Sequence, residues 1–376
     1  MDDAGARDVA TEHIDVACGQ LLFVGFDGTE LPESVAAAFG RGHRGGAILF
    51  KRNVGRLGEE ADLDQVARLN ASIVAAAPRS LRPVIGVDQE GGRVKRLGPP
   101  VLQVPPMRSL GDRPSAVVEQ VAKAVGDELA ALGFTMSFAP VLDVDSNPNN
   151  PIIGDRSFAR DATTVAQLGI AYARGLGRAG VLACGKHFPG HGDTEEDSHL
   201  SLPRVRHDRA RIDAVELAPF RTAIDAGVLP SIMTAHVVFD AIDPGVPATL
   251  SKKAMMQLLR EELRYEGVCI SDDLFMKGVS PSGGDDPNEV ARAAVASIDA
   301  GCDMVLVCRG GPAADACHAA LVARAEQDQA FAARVREAFG RIQKMRATFP
   351  EHRALLGEEL RRRIGVKTLN DLACGC

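Results

Sequence analysis

Residues 181–199 read VLACGKHFPGHGDTEEDSH, and this stretch joins a buried strand to a densely ionisable loop. The first four residues are apolar, as in a strand that is covered on both faces. The loop that follows holds one lysine, three histidines and four carboxylates, punctuated by glycines and a proline. A strand that ends in such a loop is typical of a catalytic site on an α/β scaffold.

The same unit recurs along the chain, because short apolar runs alternate with amphipathic segments. One such segment places Val165, Leu168, Tyr172 and Leu176 at helical spacing. The apolar runs are residues 21–26, 47–50, 84–87, 138–142, 181–184, 232–235, 268–270 and 304–308. Eight β-α units predict an α/β fold, a single-domain TIM (β/α)8 barrel, with a doubly wound open sheet as the alternative. We expect a polar tail over 1–15, the barrel over 16–349, and a helical cap and tail over 350–376.

Composition narrows the class of protein. Hydrophobic residues make up 45% of the 376 residues and charged residues 25%, as in a globular protein, and the net charge of −7 argues against nucleic-acid binding. The acidic N-terminus does not resemble a signal peptide, and no run reaches the about 18 apolar residues of a membrane span. We therefore expect a cytoplasmic monomer that binds neither nucleic acid nor membrane. Cys184 and Cys269 are expected to be buried reduced thiols, and the terminal Cys374 and Cys376 are a weak signal for metal binding or oxidation.

Ionisable residues follow five of the predicted strands. In a barrel the carboxyl ends of all strands meet at one rim, so these side chains are expected to surround one site. A charge or an imidazole is costly to bury, which makes five such positions hard to explain by structure alone. They are Asp88 to Glu90, Asp143, Lys186 with His187, His236, and Asp272 with Asp273.

Several segments, in this order, resemble glycoside hydrolase family 3, and within it the single-domain β-N-acetylglucosaminidases of peptidoglycan recycling. The segments are DQEGGRV at 88–94, NPNNP at 147–151 with RSF at 156–158, the stretch 186–199, MTAH at 233–236 and SDDL at 271–274. The resemblance covers most of the chain and implies a barrel that needs neither cofactor nor metal. The sequence departs from the family pattern at Phe275, where a small residue is usual, and this departure puts the shape of that loop in question.

The resemblance also implies the catalytic residues. Asp272 matches the family nucleophile, which attacks the anomeric carbon in a retaining mechanism. Asp273 is the alternative by proximity, although adjacent side chains of a strand point to opposite faces. His199 matches the general acid/base, and Asp197 matches the partner of this histidine. The acid/base role suits an imidazole, whose ordinary pKa is about 6.5.

The substrate-binding positions implied by the resemblance are Asp88, Arg96, Arg156, Lys186 and His187. Arg96 could instead be a solvated surface charge. His191 could shape its loop by bonding to backbone, or could act in the chemistry. Gly190 and Gly192 predict a mobile loop over 190–199.

The expected activity is that of a retaining exo-β-N-acetylglucosaminidase. It would remove non-reducing terminal β-1,4-linked N-acetylglucosamine from muropeptide or muramyl disaccharide fragments. The first alternatives are a β-N-acetylglucosaminide phosphorylase or a β-glucosidase of the same family. A metal hydrolase using His187, His191, Asp193 and His199 and a non-catalytic sugar-binding barrel are further alternatives.

Overall fold

The computed structural model describes residues 13–194, 202–349, 354–369 and 371. In this part of the chain eight parallel strands close into a barrel, and each strand pairs with its neighbours in the sequence. The strands are β1 (Leu22–Val24), β2 (Gly46–Leu49), β3 (Val84–Val87), β4 (Met136–Ser137), β5 (Leu182–Phe188), β6 (Ser231–Thr234), β7 (Val268–Asp273) and β8 (Met304–Val307). Pairing of β8 with β1 closes the barrel, so the TIM-barrel prediction is confirmed and an open sheet is excluded.

Helices surround the barrel. The first precedes β1, and the others lie in the connections between strands or after the last one. They are α1 (Ile14–Gln20), α2 (Glu33–Gly40), α3 (Leu63–Ala76), α4 (Ser115–Ala131), α5 (Ala162–Arg178), α6 (Arg209–Ala214), α7 (Ala218–Asp225), a π-helix (Lys253–Glu262), α8 (Pro287–Ala300), α9 (Gly311–Gln327), α10 (Gln329–Arg346) and α11 (Gly357–Arg361). Among the residues described, none of these helices combines the length and the hydropathy needed to cross a bilayer.

Helix α5 shows how local sequence sets these elements. Asp161 caps its start by accepting the N–H of Thr164 at 2.8 Å, which satisfies one of the unpaired donors of the first turn. The four apolar residues at helical spacing, Val165 to Leu176, are all buried against the sheet, as predicted. The six cysteines that the structure describes, including Cys184 and Cys269, are buried and free.

The fourth strand differs from the prediction. It was expected at 138–142, but the ladder covers Met136–Ser137 and resumes only as an isolated bridge between Val141 and Lys186. Pro140 has no N–H to donate, so the regular ladder is interrupted here, although the carbonyls of Ala139 and Pro140 still accept from Cys184 and Lys186 of the fifth strand. The fifth strand is longer than predicted, ending at Phe188 rather than 184, and therefore contains Lys186 and His187.

The two ends of the described chain pack on the barrel. Helix α1 begins at Ile14, within the segment expected to be a polar tail. After residue 353, the N–H of Leu355 donates to the carbonyl of Ala131, and the N–H of Gly357 donates to Asp64. Leu360 in α11 is buried, so this helix adds to the core.

Candidate active site

A cavity of about 300 Å³ opens where the barrel strands end. The strand-end rule predicted this location, because the connections that follow parallel strands all leave from one rim. The ionisable side chains in its wall are Asp88, Glu90, Arg96, Arg156, Lys186, His187, His191, Asp272 and Asp273. All five expected substrate-binding residues and the expected nucleophile therefore lie together.

Lys186 lies buried between two carboxylates on the floor of the cavity. Its Nζ donates to Asp88 Oδ1 at 2.8 Å and lies 2.5 Å from Glu90 Oε1. Burial alone would lower the pKa of Lys186, but the two carboxylates outweigh burial and raise it. An ammonium group has three N–H donors, so one remains for a ligand after these two contacts.

Two arginines complete this floor. Arg96 Nη2 donates to Asp88 Oδ2 at 2.8 Å, so Arg96 is not the solvated surface charge that was the alternative. Arg156 donates from Nε and Nη2 to the two oxygens of Glu90, at 2.9 and 2.8 Å. Its guanidinium fork is thus largely occupied by Glu90, and it positions that carboxylate as much as it faces the cavity. Three cations against two carboxylates leave one net positive charge on the floor.

Asp143 fixes the orientation of His187. It accepts from His187 Nδ1 at 2.7 Å, and from the backbone N–H groups of His187 at 3.1 Å and His191 at 2.7 Å. Burial would raise the pKa of Asp143, but His187 and the hydrogen bonds lower it below its ordinary value. The bond to Nδ1 leaves Nε2 as the ring nitrogen of His187 that is not held by Asp143.

No individual role is predicted from the sequence for Glu90 or Asp143. Both stand at strand ends, so the rule that selected Asp88 and Lys186 also pointed to them. The pairing of Glu90 with Arg156, 66 positions away, could not be read from the chain. The structure shows that these two acids hold the cationic and imidazole side chains in place.

The start of the loop after β5 is anchored by the barrel. A Cβ on Gly192 would lie 1.7 Å from the carbonyl oxygen of Val144, so glycine is needed there for close backbone approach. Thr194 is buried and lies 2.8 Å from His191 Nδ1. Burial lowers the pKa of His191 to about 4. Gly192 is therefore needed for close packing against Val144, and not for the backbone freedom on which the prediction of a mobile loop over 190–199 depends.

The predicted acid/base pair, Asp197 and His199, lies outside the described residues, as does the rest of the stretch 195–201. The described chain ends on one side at Thr194, which hydrogen-bonds to the imidazole of His191 beside the cavity. The role of this pair stays a prediction.

Asp272 and Asp273 close strand β7 and both border the cavity. The expectation that only one of them could reach the site was therefore too strict. Asp272 Oδ1 accepts the N–H of Asp273 at 2.8 Å, and no ion pair to Asp272 occurs among the residues described. Burial would raise the pKa of Asp272, but His187 and His236 outweigh it and lower the value, so this carboxylate is ionised at neutral pH.

Asp273 has a different environment. Its Oδ1 accepts backbone N–H groups from Phe275 at 3.2 Å and Cys308 at 3.3 Å, which turns the carboxylate toward the loop backbone. Burial raises the pKa of Asp273 to about 6, and the neighbouring charge of Asp272 adds to this effect. Of the two carboxylates, Asp272 is the one that is both ionised and sparsely bonded.

Phe275 shapes the loop that follows these aspartates. The side chain is buried, and a Cβ on Gly284 would lie 1.9 Å from its ring. The guanidinium of Arg309 lies 5.1 Å from the ring centre. The large residue at this position thus folds residues near 284 back toward the strand end, while the next residue, Met276, lines the cavity.

The histidines of the site serve hydrogen bonds to protein groups. His236 Nδ1 lies 2.7 Å from Thr249 Oγ1, and its Nε2 donates to the carbonyl of Asp273 at 3.1 Å. Asp193 Oδ1 accepts a hydrogen bond from Ser146 Oγ at 3.0 Å, and Asp193 Oδ2 is paired with the imidazole of His207. In the described ranges the metal-hydrolase set of His187, His191 and Asp193 does not converge on a point where one ion could touch all three.

A closed (β/α)8 barrel whose strand ends surround a polar cavity with an ionised carboxylate has the arrangement of a TIM-barrel enzyme. Comparison with known proteins narrows this class. The family described as "Glycosyl hydrolase family 3 N terminal domain" matches residues 13–345. The chain belongs to this family, and it is a glycoside hydrolase of the β-N-acetylhexosaminidase type.

Two relatives illustrate the match in sequence. The beta-hexosaminidase A of Pseudoalteromonas piscicida is 40% identical over 298 residues, which are 74% of this chain and 48% of that protein. The beta-hexosaminidase of Thiobacillus denitrificans is 39% identical over 301 residues, 78% of this chain and 79% of that protein. The chain thus spans about half the length of the first relative and most of the second.

Solved structures give the same assignment. A glycoside hydrolase family 3 beta-N-acetylglucosaminidase from Paenibacillus sp. str. FPU-7 is 39% identical with a TM-score of 0.81, covering 93% of this chain and 67% of that one. NagZ from Neisseria gonorrhoeae, in complex with N-trifluoroacetyl-D-glucosamine, is 32% identical with a TM-score of 0.76, covering 94% and 96%.

Proposed function

We propose that this chain is a retaining exo-β-N-acetylglucosaminidase that removes non-reducing terminal β-1,4-linked N-acetylglucosamine from muropeptide or muramyl disaccharide fragments. The observation that carries the proposal is that Asp272 lines the same cavity at the strand ends as Asp88, Lys186 and Arg96. Its volume of about 300 Å³ lies at the small end of ordinary ligand sites, which suits one terminal sugar residue.

Asp272 acts as the nucleophile in this proposal. A nucleophilic carboxylate must be ionised and must have an oxygen that is not tied up by other groups. Asp88 and Glu90 are paired with cations, and Asp273 accepts two backbone N–H groups, whereas Asp272 accepts one. Its place at the end of a strand gives it a rigid mount from which to attack the anomeric carbon.

The floor of the cavity binds the sugar. Both oxygens of Asp88 already accept a cation donor, but each keeps a second lone pair for a sugar hydroxyl. Lys186 has one N–H left and Arg156 has donors beyond those given to Glu90, and these groups bind hydroxyls or the acetamido carbonyl. His187 adds the ring nitrogen that Asp143 leaves unbonded.

His199 with Asp197 supplies the general acid/base in this proposal, which rests on the family pattern. An imidazole donates a proton to the leaving oxygen and later takes one from water near neutral pH. His199→Ala should therefore cost little in the first step for a nitrophenyl glycoside and about 10²–10⁴-fold for a natural sugar leaving group. Asp197→Ala should show a weaker form of this pattern. Equal losses for both leaving groups would reject the role.

The proposed substrates are acidic, and the protein carries a net charge of −7, so attraction must be local. On the floor of the cavity, Arg96, Arg156 and Lys186 are the cationic side chains that can provide it. A phosphorylase of the same family is the second candidate, because an imidazole acid/base does not repel an incoming phosphate as a carboxylate would.

Product analysis on a defined muropeptide tests the proposal. The expected first product is free N-acetylglucosamine released as the β-anomer, at a rate that does not depend on phosphate. A sugar 1-phosphate formed only when phosphate is present would establish the phosphorylase instead. The α-anomer as first product would reject a retaining mechanism. Light scattering of the same sample tests the expected monomer.

A further inference from the structure

Three side chains from separate segments meet near the amino-terminal ends of the barrel strands, outside the active-site cavity. Asp15 lies in the first turn of α1, His43 in the connection between α2 and β2, and His318 in α9. One ligand atom from each of these residues can be chosen so that all lie within 4.8 Å of one another. Among the described residues, no other group of three histidine, cysteine or acidic side chains has its possible ligand atoms this close together.

We propose that Asp15, His43 and His318 form a binding site for a divalent transition-metal ion of the Zn²⁺ class. Imidazole nitrogen and carboxylate oxygen are ordinary zinc ligands, and two histidines with one carboxylate leave the fourth tetrahedral position for water.

The distances agree with one ion between the three groups. Zinc bonds of about 2.0–2.1 Å at tetrahedral angles separate ligand atoms by roughly 3.3–3.4 Å. His318 Nε2 lies 3.4 Å from Asp15 Oδ1, which is already that separation. The same nitrogen also donates to the backbone carbonyl of Asp15 at 3.0 Å, and a metal on Nε2 would replace this hydrogen bond. His43 Nε2 lies 2.8 Å from Asp15 Oδ2, a hydrogen-bond distance that must lengthen by about half an ångström when a metal replaces the proton.

The two imidazole rings are held beside each other. They stack with centres 4.1 Å apart and planes 27° from parallel, so their Nε2 atoms face the same carboxylate. The side chains of His43 and His318 are 19% and 12% exposed, whereas Asp15 is 51% exposed. An ion can therefore enter from solvent on the side of Asp15 and meet two ligands that are already oriented.

The neighbouring cations set the conditions for binding. Arg44 is buried nearby and donates to the carbonyl of His43 at 2.8 Å, but its charge is compensated by an ion pair with Asp315. Arg41 Nε donates to His43 Nδ1 at 3.4 Å. If His43 binds metal through Nε2, its proton moves to Nδ1 and this weak contact is lost, which the exposed Arg41 can accommodate by turning away.

A metal here would join the first helix of the barrel to one of the last. Helix α1 precedes β1 and α9 follows β8, so the ion would link the two ends of the barrel across their closing seam. The proposed role is stabilisation of the fold, because an ion that binds only the folded state shifts the unfolding equilibrium. The glycosidase reaction should be unaffected.

Cobalt titration of the chelator-treated full chain near neutral pH tests the site. We expect visible d–d absorption of four-coordinate Co²⁺ with one ion bound per chain, and a rise in Tm of a few degrees with saturating Zn²⁺. His318→Gln and His43→Gln should each weaken Co²⁺ binding by about 100-fold or more and abolish the rise in Tm. Asp15→Asn should act in the same direction while keeping the shape of the side chain.

His13→Gln is the matched control, because His13 is exposed and lies two residues from Asp15 but outside the cluster. It should leave the Co²⁺ spectrum and affinity unchanged. The same spectrum and affinity in all three site variants, or no d–d bands in the parent chain, would overturn the proposal. Unchanged turnover of a chromogenic glycoside by the variants confirms that they are folded.

Discussion

Two buried ion-pair clusters, each made of acidic and basic side chains, lie at opposite ends of the barrel. At the amino-terminal end, Asp303 precedes strand β8 and is fully buried. Its oxygens accept from Arg260 and Arg334 at 2.6 Å, from Arg341 at 3.2 Å, and from the N–H of Cys269 at 2.9 Å. At the other end, Lys186 and two arginines surround Asp88 and Glu90.

The two groups use the same chemistry but differ in what remains unbonded. Arg260 and Arg334 also donate to backbone carbonyls around Asp303, and the protein encloses that carboxylate completely. The floor of the active site borders a cavity, and Lys186 keeps a donor for a ligand. A buried ion cluster that the protein satisfies by itself contributes structure, whereas one that faces a cavity with spare donors contributes binding.

The largest expected effect is on catalysis at the cavity end. Asp272→Asn should reduce turnover by roughly 10⁴-fold or more, because the proposed nucleophile is lost while shape and binding are kept. Asp273→Asn is the matched control and should retain far more activity, since an amide oxygen can still accept the two backbone N–H groups. Steady-state kinetics on a chromogenic N-acetylglucosaminide measures both. Similar losses in the two variants would mean that the carboxylates cannot be told apart by role.

At the closed end the expected effect is on stability. Asp303→Asn should lower the free energy of unfolding by about 3–5 kcal/mol, because three guanidinium groups lose their shared counterion in a buried place. KM should not change where the variant is folded. Urea unfolding followed by circular dichroism measures the loss. Glu337→Gln is the control, since this half-exposed carboxylate pairs with the same Arg334 and Arg341, and a loss as large as that of Asp303→Asn would remove the distinction.

A smaller effect with a defined pH dependence is expected at Asp273. Its folded-state pKa of about 6 lies above the ordinary 3.8, so the folded protein holds the proton more tightly than the unfolded chain. The contribution of Asp273 to the stability of the wild-type protein should therefore fall as the pH rises from about 4 through 6, by up to about 3 kcal/mol. Asp273→Asn removes this term and should be the more stable protein at pH 7. Parallel stability curves for the two proteins from pH 4 to pH 7 would contradict the assignment.

The smallest effect is expected for an exposed pair of the same chemistry. Lys123 donates to both oxygens of Asp127 at 2.8 Å on the surface of α4. Lys123→Met should cost less than about 0.5 kcal/mol, because water screens this pair and the side chains lose freedom in forming it. The same urea measurement provides the value, and a loss above 1.5 kcal/mol would show that exposure does not separate these ion pairs.

The sequence predicted the barrel and the main residues of its cavity, because both follow from a local rule. Each apolar strand ends in ionisable residues, and parallel closure brings those ends to one rim, which placed Asp88, Lys186, His187 and Asp272 together. The fourth strand was misplaced because Pro140 stands inside an apolar run whose composition looks continuous.

Contacts between distant segments could not be predicted in this way. Nothing local to Arg156 indicates that Glu90 holds its guanidinium, or that Asp143 is shared by His187 and His191. The group of Asp15, His43 and His318 spans nearly the whole chain and has no motif spacing. Such contacts depend on how helices and connections pack around the barrel, and no local pattern in the sequence shows this packing.

The central claim is that Asp272 forms the covalent bond to the sugar, and the site of glycosylation tests it most directly. His199→Ala should accumulate the glycosyl-enzyme when given a nitrophenyl N-acetylglucosaminide, because the proposed general base that activates water is missing. Digestion and mass spectrometry of that intermediate are predicted to find the sugar on Asp272. The sugar on Asp273, or on any residue outside strand β7, would contradict the account.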